Sequence, residues 1–245
     1  MLPRPDSLED SPLLTVDENH CEHHHLNQSR ITVNRRIFLS LLFVTFTGFA
    51  SAADGIKVAC VGDSITAGAG VKDAKNRYPA QLGELLGAGY EVKNYGNSGS
   101  TMLDDGDKPY KKQKSFTDAV AFAADIVVIK LGTNDSKPQN WAKKDGFAGS
   151  TKSLVEAFTK ANPKAKIFLC YPVPVIGKGN FGIRDEIVKN EIIPLIQKTA
   201  DELKLPVIDL YAALDNKAEL FPDRVHPNDD GAKLIAKAVH AAVKK

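Results

Sequence analysis

The chain has 245 residues, 43% of them hydrophobic and 25% charged, which is ordinary for a globular protein and allows one generous domain or at most two small ones. A formal net charge of +2 leaves no basic excess of the kind that nucleic-acid binding uses, so no nucleic-acid partner is expected. Cys21, Cys60 and Cys170 form no Cys-x-x-Cys pair, which argues against a thiolate metal centre or a dithiol redox site.

The first fifty or so residues read as a leader. Arg35 and Arg36 precede an apolar run over 37–46, and Ala50-Ser51-Ala52 follows as a small-x-small site. A positive pair, a short apolar run and small residues make an export signal, with cleavage after Ala52 and a mature chain from Ala53. The run is too short to span a membrane comfortably. Asn34-Arg35-Arg36-Ile37-Phe38-Leu39 is also similar to a twin-arginine motif, while the strongly apolar run equally fits an ordinary secretory signal. His20, His23, His24 and His25 lie ahead of the cleavage site, in a polar extension that reads as a dispensable tail. The expected domains are therefore 1–52, extension and signal, and 53–245, one exported domain (periplasmic or extracellular) with no stable membrane association.

Beyond the leader, apolar runs at 56–61, 90–95, 125–131, 166–171 and 206–209 read as strands. Helical patterns lie between them near 77–87, 115–123, 146–161 and 184–204, and a closing helix near 229–243 follows a cap at Asn228 or Asp229. Cys60 and Cys170 fall within strand runs and read as buried free thiols. Five βα units predict one α/β domain with a parallel sheet and helices on both faces. The polar, Gly-bearing loops then open at the carboxyl ends of the strands, where such sheets place their ligands.

Gly62-Asp63-Ser64-Ile65-Thr66-Ala67-Gly68 follows the first strand. It lacks the Gly-Lys-Ser/Thr ending of a phosphate loop, the Gly-x-Gly-x-x-Gly of a dinucleotide fold and the Gly-x-Ser-x-Gly of a strained nucleophile elbow. Alone, Asp63 and Ser64 fit a helix cap as well as an active serine. A serine nucleophile needs a base. Past the leader there are two histidines, and His240 falls inside the closing helical pattern. His226 lies in the polar loop Phe221-Pro222-Asp223-Arg224-Val225-His226-Pro227, where the following proline restricts its backbone to extended forms. Asp223, three residues earlier, is placed to accept a hydrogen bond from one ring nitrogen and leave the other for serine. Two further blocks follow strands, Asn97-Ser98-Gly99-Ser100-Thr101 and Gly132-Thr133-Asn134-Asp135. The backbone N–H of Gly99, the amide of Asn134 and the N–H of Ser64 are candidate donors to an oxyanion.

Gly62-Asp63-Ser64, Gly99, Gly132-Thr133-Asn134-Asp135 and Asp223-x-x-His226 together resemble the four blocks of the SGNH/GDSL hydrolases, in the same order and across about 55–243. The resemblance implies a flavodoxin-like three-layer α/β/α fold with five parallel strands, and no metal or organic cofactor. It implies Ser64 as nucleophile, His226 as base, Asp223 as its orienter, and Ser64, Gly99 and Asn134 as the oxyanion hole. Ile65-Thr66 stands where the family name has leucine, a departure that touches no catalytic role.

The loops at 99–116 and 132–146 are polar and charged, with no apolar lid. The stretch from Leu131 to Trp141 resembles exported carbohydrate O-acetylesterases, so the expected substrate is a small-molecule or polysaccharide ester. A lysophospholipase or thioesterase would use the same machinery with a groove for a long acyl chain, and a carbohydrate-binding protein with a relic site is the non-enzymatic alternative. Asp63, Asp135, Trp141 and Arg184 are candidate substrate contacts. Trp141 would stack on a sugar face or cap the core, and Arg184 would reach substrate or sit as a helix-start charge. Lys108, Lys111, Lys112 and Lys114 around Tyr110 form a basic stretch, read as a solvated loop or a patch for an acidic polysaccharide.

Overall fold

The computed structural model describes residues 55–244. The leader, its histidines and the expected start at Ala53 lie outside the described residues. Within them, β1 (Ile56–Gly62) buries its last five residues in succession, the mark of a central strand covered on both faces. β2 (Tyr90–Gly96), β3 (Ile126–Lys130), β4 (Lys166–Cys170) and the two-residue β5 (Val207–Ile208) complete a parallel sheet in the order β2-β1-β3-β4-β5. The chain runs outward from β1 to β2 and then returns to β3 on β1's other side. Loops leaving β1 and β3 thus part at a topological switch point. Register brings Gly62 opposite both Gly96 and Lys130, so three strand ends lie in one row.

The helices are α1 (Ser64–Ala67), α2 (Tyr78–Leu86), α3 (Lys114–Ala121), α4 (Pro138–Trp141), α5 (Phe147–Ala161), α6 (Asp185–Ile187), α7 (Ile193–Leu203), α8 (Leu210–Leu214) and α9 (Asp229–Val243). Side chains on a strand alternate between faces, and the two cores divide accordingly. Ala59 and Val61 of β1 join Leu154 and Phe158 of α5 and Ile196 of α7 on one face. Val58 and Cys60 join Leu82 of α2 and Ile235 and Val239 of α9 on the other. The expected α/β/α arrangement with five parallel strands is present, and Cys60 and Cys170 are buried free thiols. Among the described residues, no helix is long and apolar enough to cross a membrane.

Two elements differ from their sequence-predicted extents. The helix expected over 184–204 is α6 and α7 joined by a turn of π-helix, Val188–Ile192. Pro194, in the first turn of α7, has no N–H to donate, and the chain widens just ahead of it, with Ile193 N donating to Val188 O. The last strand is two residues long, because Asp209 turns aside to cap α8, its Oδ1 accepting from Ala212 N at 2.8 Å. At the start of α9 the cap is Asn228, whose Oδ1 accepts from Gly231 N at 3.0 Å. Asp229 instead accepts from Lys72 N at 3.0 Å and Asn76 Nδ2 at 2.9 Å.

The end of β2 packs on α1 at backbone distance, since a Cβ on Gly96 would lie 2.1 Å from Ala67 N. Gly96→Ala is expected to lower unfolding free energy by about 1–3 kcal/mol, the usual cost of overpacking. Urea denaturation checks this, and an unchanged midpoint would contradict the close approach.

Candidate active site

β1 ends at Gly62 because nothing larger fits there. A Cβ would sit 2.1 Å from Thr66 Oγ1 and 2.6 Å from the Lys130 carbonyl oxygen. The chain turns directly into α1, with Ser64 as its first residue and Asp63 as its cap, Oδ1 accepting from Ile65 N at 3.0 Å. First-turn N–H groups have no acceptor within their helix, so Ser64 presents its N–H at that open end. Of the roles weighed for this turn, the cap falls to Asp63, and the Ser64 hydroxyl takes no part in it.

Asp63 is fully buried, and so is its partner. Lys130 Nζ donates to the two carboxylate oxygens of Asp63 at 3.0 and 2.9 Å and to Thr133 Oγ1 at 2.8 Å. Lys130 ends β3 and Thr133 stands one residue before Asn134. The ion pair thus ties the turn that carries Ser64 to the turn that carries Asn134.

His226 reaches Ser64 from the loop before α9. Its Nε2 lies 2.8 Å from Ser64 Oγ, and its Nδ1 lies 2.6 Å from Asp223 Oδ2. The other carboxylate oxygen accepts from the N–H groups of Val225 at 3.0 Å and His226 at 2.7 Å. Partial burial acts to raise the Asp223 pKa, but the hydrogen bonds from the imidazole and the two N–H groups outweigh it and hold the carboxyl below its ordinary value. An ionised carboxylate has no proton to give. Nδ1 therefore donates to Asp223, and Nε2 is left to accept from Ser64. Gly70 lets this loop approach α1: its φ is +87°, and a Cβ would lie 2.7 Å from Pro227 O and 2.9 Å from His226 Cβ.

Gly99 and Asn134 face the same cleft, of about 300 Å³, as Ser64 and His226. Gly99 has φ +81°, in the left-handed region that favours glycine. Asn134 Nδ2 donates one hydrogen to Ser100 O at 3.0 Å, which orients the amide and leaves its second hydrogen for a ligand. Asn140 Nδ2 holds Asn134 from behind, donating to its carbonyl oxygen at 2.8 Å. A larger groove, about 460 Å³ beside Lys144 and Glu191, has no serine, cysteine or histidine in its lining.

Ser64, His226, Asp223, Gly99 and Asn134 are thus brought together as expected. The four expected substrate contacts are not. Asp63 is sealed in its ion pair beneath the serine. Asp135 is also fully buried, its two oxygens accepting from Met102 N at 2.9 Å and Leu103 N at 2.8 Å, so it pins one loop to the other. Trp141 is 6% exposed, donates Nε1 to Glu191 Oε2 at 2.9 Å and packs edge-on against Phe147, so it caps the core. Arg184 binds Ser136, its backbone N donating to Oγ at 3.0 Å and its Nε to the carbonyl at 2.7 Å, and it lines a groove with Gly177, Lys178 and Glu186 rather than the cleft of Ser64. Two of the four lysines of the basic stretch are paired, Lys111 with Asp104 and Lys114 with Asp118, and Lys108 donates to Ser98 O.

Sequence reasoning missed Lys130, Gly70 and the aromatic wall of the cleft. That wall is Phe181, 57% exposed, with its ring centroid 5.8 Å from the His226 ring, beside Ile183. Its signal was the run Gly177-Lys178-Gly179-Asn180-Phe181-Gly182, an aromatic set among glycines.

Residues 60–234 match the GDSL-like Lipase/Acylhydrolase family, and the chain belongs to it. It is similar to an acetylxylan esterase of Xylanibacter ruminicola, with 42% identity over 214 residues, 80% of this chain and 44% of that protein. The chain therefore spans less than half the length of this curated relative. Among solved structures, an acetyl xylan esterase is 28% identical with a TM-score of 0.59, over 77% of this chain and 100% of that one. A carbohydrate acetylesterase from Sinorhizobium meliloti shares the fold at 22% identity and a TM-score of 0.62, over 77% and 98%.

Lys130→Met strips a buried carboxylate of its partner and is expected to cost roughly 3–5 kcal/mol. Urea unfolding measures it, and a loss under 1 kcal/mol would contradict a coupled pair. Burial pushes the Asp135 carboxyl up to about 7 against the pull of the Leu103 and Met102 N–H groups, with the charge of Asp63 adding to the rise. The folded state then holds this proton more tightly than the unfolded chain, so its contribution to stability is full below pH about 4 and is lost as pH rises through about 7. Asp135→Asn sets an amide N–H against a backbone N–H and is destabilised, but by a smaller margin at pH 8 than at pH 5. A margin that widens with pH would contradict the raised value.

Proposed function

We propose that this chain is an exported serine esterase that removes O-acetyl groups from carbohydrate, with acetylated xylan as the reference substrate. The observation that carries the proposal is the relay of 2.8 Å and 2.6 Å from Ser64 through His226 to Asp223. Ser64 Oγ attacks the ester carbonyl carbon while His226 Nε2 takes its proton, and Asp223 stabilises the imidazolium that forms. The carbonyl oxygen, now negative, is held by the N–H groups of Ser64 and Gly99 and the spare amide hydrogen of Asn134. Collapse breaks the bond to the alcohol, whose oxygen receives the proton from Nε2. A water then gives a proton to the same nitrogen as its oxygen attacks the acyl carbon, and collapse breaks the bond to Ser64 Oγ, which takes that proton back from Nε2 as the acid leaves.

The substrate class is supported by the two acetylxylan esterases among the similar proteins. Export is supported by the basic pair, apolar run and small-residue site that precede Ala53. Ser64→Ala is expected to lower kcat for acetate release from acetylated xylan by about ten-thousandfold or more. Asn134→Ala is expected to lower it by about a hundred- to a thousandfold. Activity of Ser64→Ala within tenfold of the parent would refute the proposal, and faster release of octanoate than acetate across a series of esters would redirect it to long-chain substrates.

A further inference from the structure

Phe181 presents a large apolar ring to solvent at the mouth of the cleft and is the most exposed large hydrophobic residue among those described. Its φ is +56°, a region that bulky residues rarely occupy, so the surrounding loop must hold it there. The loop is anchored at both ends to the site. Ile176 N donates to Arg224 O at 2.8 Å, two residues before His226, and Arg184 is bound to Ser136, two residues after Asn134. Between the anchors Gly179 closes a tight turn, where a Cβ would lie 2.2 Å from Ile183 O. The ring is thus held in place without being buried.

The direction of proton transfer says which half of an ester lies beneath it. His226 Nε2 must return its proton to the leaving oxygen, so the alcohol attached to that oxygen lies along the imidazole. The ring centroid of Phe181 is 5.8 Å from that imidazole and its plane is inclined by 51°. We infer that Phe181 is the specificity-determining platform for the alcohol half of the substrate, stacking on the C–H face of the acetylated sugar ring. The apolar face of a pyranose meets an exposed aromatic face and removes both from water. The acyl half, held at the oxyanion donors, does not depend on this ring. The inference rests on the esterase proposal and assigns to Phe181 the stacking role for which the buried Trp141 is unavailable.

The test compares acetylated xylo-oligosaccharides with ethyl acetate, whose alcohol has no ring to stack, for the parent, Phe181→Ala and Phe181→Tyr. For Phe181→Ala, kcat/KM on the sugar ester is expected to fall at least tenfold, chiefly through KM, and on ethyl acetate by no more than threefold. Phe181→Tyr keeps a ring and is expected to stay within threefold of the parent on the sugar ester. Equal falls on both substrates would overturn the inference, because Phe181 would then act by holding His226. Retention of sugar-ester activity in Phe181→Ala, or a loss in Phe181→Tyr as large as in Phe181→Ala, would also overturn it. A parent that cleaves ethyl acetate but no sugar ester overturns the platform and leaves the esterase standing. A parent inactive on both removes the esterase and the platform with it.

Discussion

The ion pair between Asp63 and Lys130 is the constraint on which the rest of the site depends. Both side chains are fully buried, so each would pay a large desolvation cost alone, and the pair is tolerable only because every partner is in place. Asp63 accepts from Ile65 N and, at both carboxylate oxygens, from Lys130 Nζ, which also donates to Thr133 Oγ1. The serine turn and the asparagine turn leave adjacent strands at the switch point, and this cluster sets the distance between them. Among the described residues no buried side-chain polar atom lacks a partner, which is the condition for such a network to specify one geometry.

A second layer of ties fixes the loops that approach from outside the sheet. Asp135 gathers the N–H groups of Met102 and Leu103, and Asn140 donates both to Asn134 and to Asp107. Asp223 bonds the backbone of its own loop as well as the imidazole. The acidic residues of the motifs thus divide their labour: Asp63 and Asp135 build the frame, and of the three Asp223 alone touches His226. Short relays held by backbone donors are what a serine needs if it is to lose its proton without rearrangement of the protein.

The sheet, its order of elements and the five central site residues were legible because strand ends and chemistry coincide in this chain. Gly62, Gly99 and Gly132 punctuate apolar runs, and each is followed closely by a residue with few other reasons to be there. The buried frame was not legible. Lys130 closes an apolar run and looks like the exposed end of a strand. Its burial depends on Asp63, 67 residues away in the chain. Trp141 and Asp135 looked available for the same reason: the local sequence is polar, and only the packing of Met102, Leu103 and Phe147 shows that the loops are filled from below. The π-turn ahead of α7 went unread in a helix expected over 184–204, although Pro194 carries its signal, and the exposure of Phe181 follows from anchors on two other loops.

The measurement that tests the account most directly is covalent labelling with a fluorophosphonate, read by peptide mass spectrometry. A single adduct is expected, on Ser64, forming far more slowly in His226→Asn, because the reagent needs a serine whose proton has a base to receive it. No adduct, or an adduct on another residue with Ser64 unmodified, would contradict it.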